Sequence, residues 1–286
     1  MKRKQNQLRP AVKMLNRVML FLVFASMILP LMNILAIAFS TKQASLEPGI
    51  ALFPKVFSLS GFTYIWHKEN LWQPFLNSLF VSVVGTFLQT FFSAIAGYVL
   101  IKKDLPFRKV IIGFVMITMM IPGELTLVSI YSLNKNLGLL DTYVGLIING
   151  LLSGFSIFLL KNYFESVPKS LYEAALLDDA GEFQIFRKIY LPLAVPGIAT
   201  VSFIAFISKW NSLMIPTTII SEESKYTLPM ILRTLVFNSS ATSGVEFVPP
   251  NAIMAGIVIS VIPLILVYLI AQRFLVSGMT IGAVKG

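Results

Sequence analysis

Six stretches of this chain are apolar enough and long enough to cross about 30 Å of hydrocarbon, and nothing else in the sequence constrains the fold as strongly. They run over 18–39 and then over about 75–101, 110–133, 142–162, 198–219 and 252–272. Inside a bilayer every backbone N–H and C=O must find its partner within the protein, and a helix does this within one segment. The pattern therefore predicts an all-α, polytopic membrane protein with six transmembrane helices. Composition agrees. Of 286 residues 56% are hydrophobic and 13% are charged, against about 25% charged in soluble domains. A cleavable leader is the rival reading of the first span, because a basic start and an apolar core precede Ala36-Ile37-Ala38. The span is longer than the apolar core of such a leader, roughly 7–15 residues.

The distribution of Lys and Arg orients the spans. Sixteen of the 23 basic residues fall on one side: the tail (1–17), the 102–109 loop, the long loop around 161–197 and the C-terminus. Six fall on the other side, and Lys209 lies within a span. The positive-inside rule puts the larger group, and so both termini, in the cytoplasm. The chain then divides into a basic cytoplasmic tail (1–17), a first span (18–39), an extracellular segment (40–74), a five-helix core (75–273) and a cytoplasmic C-terminal tail (274–286). Within the extracellular segment Phe62, Tyr64, Ile65, Trp66, Leu71 and Trp72 suggest helices lying in the interface.

Several chemistries are excluded. The chain has no cysteine, so it has no disulfide, thiolate metal site or cysteine nucleophile. Its single histidine, His67, falls in a predicted loop, and no His/Cys cluster has metal-ligand spacing. The net charge of +10 does not require a nucleic acid, since the bases cluster on alternate loops. No G-x-x-x-x-G-K-[ST] phosphate loop is present. No nucleophile–base set marks a membrane enzyme.

The cytoplasmic loop 164–197 has internal order. Ser170 followed by Glu173 reads as a capping box and predicts a helix from Ser170. Leu171, Ala174, Ala175 and Leu177 give it an apolar stripe. Gly181 is the expected left-handed residue at its end. A second helix is predicted over Glu182–Tyr190, with Phe183, Phe186 and Tyr190 on one face and Pro192 as its stop. Two short helices held at the membrane surface make a docking surface.

The run E-A-A-L-L-D-D-A-G-E-F-Q-I-F-R-K-I-Y-L-P resembles the "EAA" loop of ABC-importer permeases. Glu173, Ala174, Ala175, Asp178, Ala180, Phe186, Ile189, Leu191 and Pro192 match its pattern. Asp179 stands where that family usually has glycine, with Gly181 two residues later. The ending Gly282-Ala283-Val284-Lys285-Gly286 resembles the tail of the maltose-type (carbohydrate uptake 1) permeases. Ile121-Pro122-Gly123, Leu137–Thr142 and Trp210-Asn211 fit the same group.

The resemblance implies a type I ABC importer permease fold in a bacterial plasma membrane, carrying oligosaccharides. It implies a second homologous permease as heterodimer partner, two ATP-binding subunits that use ATP and Mg, and an extracellular solute-binding protein. It implies ATPase coupling through Glu173, Ala174, Ala175, Asp178, Asp179, Gly181, Phe186, Leu191 and Pro192. Gly282, Val284 and Lys285 would make a further ATPase contact. Polar groups inside hydrocarbon usually face a cavity or a partner, so Glu124, Asn149, Lys209, Trp210 and Asn211 are the candidate substrate path. A permease for another polar solute is the alternative. A self-contained secondary transporter would need mid-membrane carboxylates and inverted repeats, and Glu124 is the only candidate carboxylate.

Overall fold

The computed structural model describes residues 10–240 and 247–283. The described residues contain no strand beyond an isolated bridge between Ser40 and Phe57. In order, the α-helices are α1 (Pro10–Ala38), α2 (Lys42–Ser45), α3 (Ser60–Thr63), α4 (Trp72–Ile101), α5 (Arg108–Met120), α6 (Leu127–Asn136), α7 (Tyr143–Ile148), α8 (Gly154–Glu165), α9 (Lys169–Leu177), α10 (Glu182–Ile185), α11 (Leu191–Leu193), α12 (Val195–Trp210), α13 (Met214–Ile219), α14 (Leu228–Ser240) and α15 (Pro250–Ala283). π-helical turns at Tyr64–Lys68 and Phe186–Tyr190 follow α3 and α10, and a 3₁₀ turn at Gly123–Thr126 precedes α6.

Three helices are each long and apolar enough to cross a membrane alone: Val12–Ala38, Trp72–Ile101 and Pro250–Phe274. The other expected spans are interrupted. The third bends by 95° between α5 and the segment Gly123–Asn136. Pro122 lies at that break, where it supplies no N–H and cannot continue the ladder of α5. The fourth is divided into α7 and α8, and the fifth into α12 and α13. The first helix starts earlier than expected. Helix α1 runs from Pro10 and so takes in part of the predicted tail, because proline is well suited to a first helical position.

The chain forms two compact units. One contains the chain up to Leu71 together with Thr234–Ile259. There Ser58 N–H donates to Phe39 O at 2.8 Å, and the Phe39 and Phe57 rings stack at 5.8 Å. The Asn251 amide donates to Ser40 O at 3.0 Å. Ile65 and Leu71, expected at the membrane interface, are fully buried in this unit.

The other unit contains Trp72–Arg233 and the chain from Ser260 onward. Its centre is α4, packed against α8 and α12. Gly97 permits the close approach of α4 to α8: a Cβ there would lie 3.0 Å from Lys161 N and 3.2 Å from Ile157 O. Below it Tyr98, Phe164, Phe186 and Tyr190 form an aromatic cluster. Tyr98 meets Phe186 at 4.9 Å and Tyr190 at 5.0 Å between ring centroids. Such pairs add roughly 0.5–1.5 kcal/mol each beyond the area they bury. This cluster is what fixes the loop 164–197 to the transmembrane helices.

Candidate functional site

The loop 164–197 differs from its sequence reading in three ways. Helix α9 starts at Lys169, with Pro168 as N-cap and no side-chain cap bond. Ser170 therefore lies inside the first turn, and the capping box with Glu173 does not form. The left-handed residue is Asp179, at φ 54°, while Gly181 is extended at φ −68° and precedes α10. Ala180 N–H donates to Ala175 O at 3.0 Å and Asp179 N–H to Leu176 O at 3.1 Å. Together these make a Schellman ending, whose left-handed position usually takes glycine. Asp tolerates it, because its short polar side chain can bond locally. Finally, Pro192 does not stop the second helix. It lies in the first turn of α11, directly after the π-helical turn, and the break comes at Ala194. Proline needs no N–H partner at such a position.

Ala175 and Phe186 face inward in the aromatic cluster. Glu173, Ala174, Asp178, Asp179, Gly181 and Pro192 are exposed, and Leu191 is half-buried. Leu177 and Phe183 are 87% and 74% exposed. The hairpin thus has an inward face joined to the core and an outward face combining acidic groups with large apolar ones.

Sequence reasoning missed the residue that ties this hairpin to α4. Glu182, the first residue of α10, accepts a hydrogen bond from the Tyr98 hydroxyl at 2.6 Å and one from the Tyr172 hydroxyl at 2.6 Å. Lys102 donates to both of its carboxylate oxygens, at 2.6 and 2.9 Å. The Lys102 ammonium also lies over the Tyr172 and Tyr98 rings, 4.1 and 4.6 Å from their centroids. Burial would raise the Glu182 carboxyl, but the bonds from Lys102, Tyr172 and Tyr98 prevail and hold it at about 2. For Lys102 burial acts downward, and the bonds to Glu182 and the tyrosines carry the net shift upward. The partners are 80 residues apart in sequence, a separation at which charge pattern carries no signal.

The predicted substrate-path residues do not form one group. Two adjoining cavities, of about 260 and 650 Å³, share Asn149, Leu152, Ser212 and Ile215 in their walls. Lys209 lines the smaller and Glu124 the larger. Trp210 and Asn211 line neither. Trp210 is buried, donates from Nε1 to Ser260 O at 2.9 Å and stacks on Phe206 at 5.8 Å. Asn211 is an exposed residue ending α12.

Lys209 has a local structural task. Between α7 and α8 the chain leaves helical geometry at 149–153, which frees backbone groups that hydrocarbon cannot satisfy. Asn149 Nδ2 donates to Gly145 O at 2.7 Å, Ser153 Oγ accepts from Ser156 N–H at 3.3 Å, and Lys209 Nζ donates to Gly150 O at 2.8 Å. The turn before α7 is held from outside. Asp141, at φ 54°, accepts at one oxygen from Ser221 N–H (2.5 Å) and Glu222 N–H (2.8 Å). These backbone bonds hold its carboxyl below the usual range. Of the proposed C-terminal contact, Gly282 falls within α15, while Val284 and Lys285 lie outside the described residues.

Residues 89–281 match the family described as binding-protein-dependent transport system inner membrane component. The chain belongs to that family. It is a multi-pass component of a plasma-membrane ABC transporter. It is 33% identical over 267 residues to the polygalacturonan/rhamnogalacturonan transport system permease protein YtcP of Bacillus subtilis, covering 91% of this chain and 93% of that one. It is 30% identical to the arabinooligosaccharides transport system permease protein AraQ of Halalkalibacterium halodurans, over 93% and 94% of the two chains. A chain in the crystal structure of a bacterial ABC transporter for the acidic polysaccharide alginate superposes with a TM-score of 0.84 at 27% identity, covering 93% of this chain and 96% of that one. This permease therefore has the fold of that importer's membrane subunit.

Proposed function

We propose that the permease is the membrane subunit of an ATP-driven oligosaccharide importer, spanning the membrane six times with both termini in the cytoplasm. It works as a heterodimer with a second, homologous permease. Two ATP-binding subunits supply ATP and Mg²⁺ chemistry, and an extracellular solute-binding protein delivers the sugar. The family match and the sugar carriers among its relatives support this reading. So does the alginate importer whose chain shares this fold.

The observation that carries the coupling role is the two-faced hairpin α9–α11. Its outer face exposes the acidic Glu173 and Asp178 and the large apolar Leu177 and Phe183, and by resemblance to the EAA loop this is the face that receives the ATPase. Its inner face is fixed to α4 and α8 through Glu182 and the aromatic cluster. A push on the outer face therefore reaches the transmembrane helices. Closure of the ATPases would shift the permease between outward- and inward-open states, whose populations depend on the differential contacts made in each.

The experiment is a detergent pull-down of the tagged chain from its native membrane, followed by uptake in proteoliposomes. A second permease and an ATPase are expected to co-purify. Glu173→Ala should lower transport per ATP hydrolysed. A stable homo-oligomer without an ATPase, or native coupling in Glu173→Ala, would overturn the reading.

A further inference from the structure

The smaller cavity holds a charge whose presence the fold alone does not explain. Lys209 enters from α12 and passes Gly85 of α4, where a Cβ would lie 2.9 Å from Lys209 Cδ. Its ammonium ends beside Gly150, where a Cβ would lie 2.6 Å from Nζ. Two positions without side chains thus make room for this one. The ammonium has three donors, and Gly150 O takes one of them. Among the described residues, no carboxylate lies within salt-bridge distance of Lys209. Ordinary capping of a carbonyl needs no charge, because a neutral amide or hydroxyl does it at less desolvation cost. A charge kept inside a membrane segment, facing a cavity and lacking an acidic partner, marks a place where an anion can enter.

The rest of the wall indicates what kind of anion. Ser82, Gln89, Asn149, Ser153 and Ser212 share the cavity with Lys209. These are hydroxyls and amides, able to both donate and accept, as sugar hydroxyls require. Glu124, the acidic group expected on the path, lines the adjoining cavity and not this one. We infer that the cavity around Lys209 is a subsite for a carboxylate-bearing sugar unit, so that the transported oligosaccharide is a uronate. The inference rests on the sugar-importer reading and deepens it. The two donors of Lys209 left over by Gly150 would take the carboxylate, and the surrounding hydroxyls and amides would take the ring hydroxyls.

The test uses the complete importer in proteoliposomes with its solute-binding protein. Uptake of trigalacturonate is compared with uptake of galactotriose, its neutral counterpart. Each rate is corrected for the affinity of the solute-binding protein for that sugar. The native complex is expected to prefer trigalacturonate. In Lys209→Met, at equal amounts of assembled complex, trigalacturonate uptake should fall by about 10- to 100-fold, the range for a lost charge-assisted contact. Native preference for galactotriose, or native-level trigalacturonate uptake by Lys209→Met, would overturn the subsite while leaving the importer reading in place. A native complex that moves neither sugar would overturn the subsite, and the co-purification of a second permease and an ATPase decides the importer reading independently. If Lys209→Met does not assemble, the comparison of the two sugars in the native complex decides.

Discussion

Lys102, one residue beyond α4, and Glu182, at the start of α10, close a salt bridge of 2.6 Å across 80 residues of sequence. Two tyrosine hydroxyls complete the ring around the carboxylate. Exposed ion pairs contribute little, and the Glu182 side chain is 55% exposed. What distinguishes this pair is its hydrogen bonding, since bonds to a charged group are stronger than neutral ones.

Glu182→Gln should therefore lower the stability of the purified chain by about 1 kcal/mol, after discounting for solvent screening. The loss should depend on pH in a defined direction. Because the folded carboxyl is held at about 2, below its ordinary 4.5, its stabilising effect is complete above 4.5 and is lost as pH falls toward 2. Melting curves of native and Glu182→Gln chains should differ at pH 7 and converge in that acidic window. A difference that stays constant from pH 7 to pH 2 would refute the assignment.

Asp179→Gly should stabilise the chain by about 0.5–1 kcal/mol, because Asp179 occupies the left-handed region at φ 54° that glycine adopts without a Cβ penalty. Asp179→Val should destabilise it, since a β-branched side chain fits that region worst. Thermal melts of the two variants should move in opposite directions.

Gly97→Leu should prevent close packing of α4 on α8. Even a Cβ would lie 3.0 Å from Lys161 N, and overpacking costs typically 1–3 kcal/mol. The expected outcome is a lower melting temperature and a reduced yield of monodisperse protein in detergent. An unchanged melting temperature would show that the two helices can separate freely.

Asp141→Ala removes the acceptor for the N–H groups of Ser221 and Glu222. Limited proteolysis should then cut near 220–226 several-fold faster than in the native chain, because local opening sets the rate when reclosing outpaces cleavage.

How much of this was legible varied with the kind of signal. Helix α4 was nearly complete in the sequence, because Trp72–Ile101 is predominantly apolar and carries no charged residue. The broken spans were not, because hydropathy is the same on both sides of a bend. Only the Pro122-Gly123 pair marked the break after α5. Gly181 is the left-handed residue that the default preference for glycine predicts, while the hydrogen bonding of α9 places that turn at Asp179. Lys209 was visible as a charge inside a span. Trp210, beside it, carries the same outward sign of a polar group in hydrocarbon, but its indole N–H is satisfied by Ser260 O within the packed interior. Glu182 was visible only as the start of a helix, since Tyr98 and Lys102, which it meets, are 84 and 80 residues away in sequence.

The 77° bend between Glu182–Leu193 and Val195–Trp210 also decides what kind of motion can pass through Ala194. A thrust along the arm Glu182–Leu193 keeps only about one-fifth of its size along the axis of α12, the cosine of that angle. The remainder acts across the helix as torque at its first turn. Under such a thrust the elbow would favour tilt over sliding, and α12 would swing about its packed middle with only a small axial component. The cavity wall carried by Lys209, Ser208 and Ser212 near its far end would then move mostly sideways, changing the width of the cavity more than its depth.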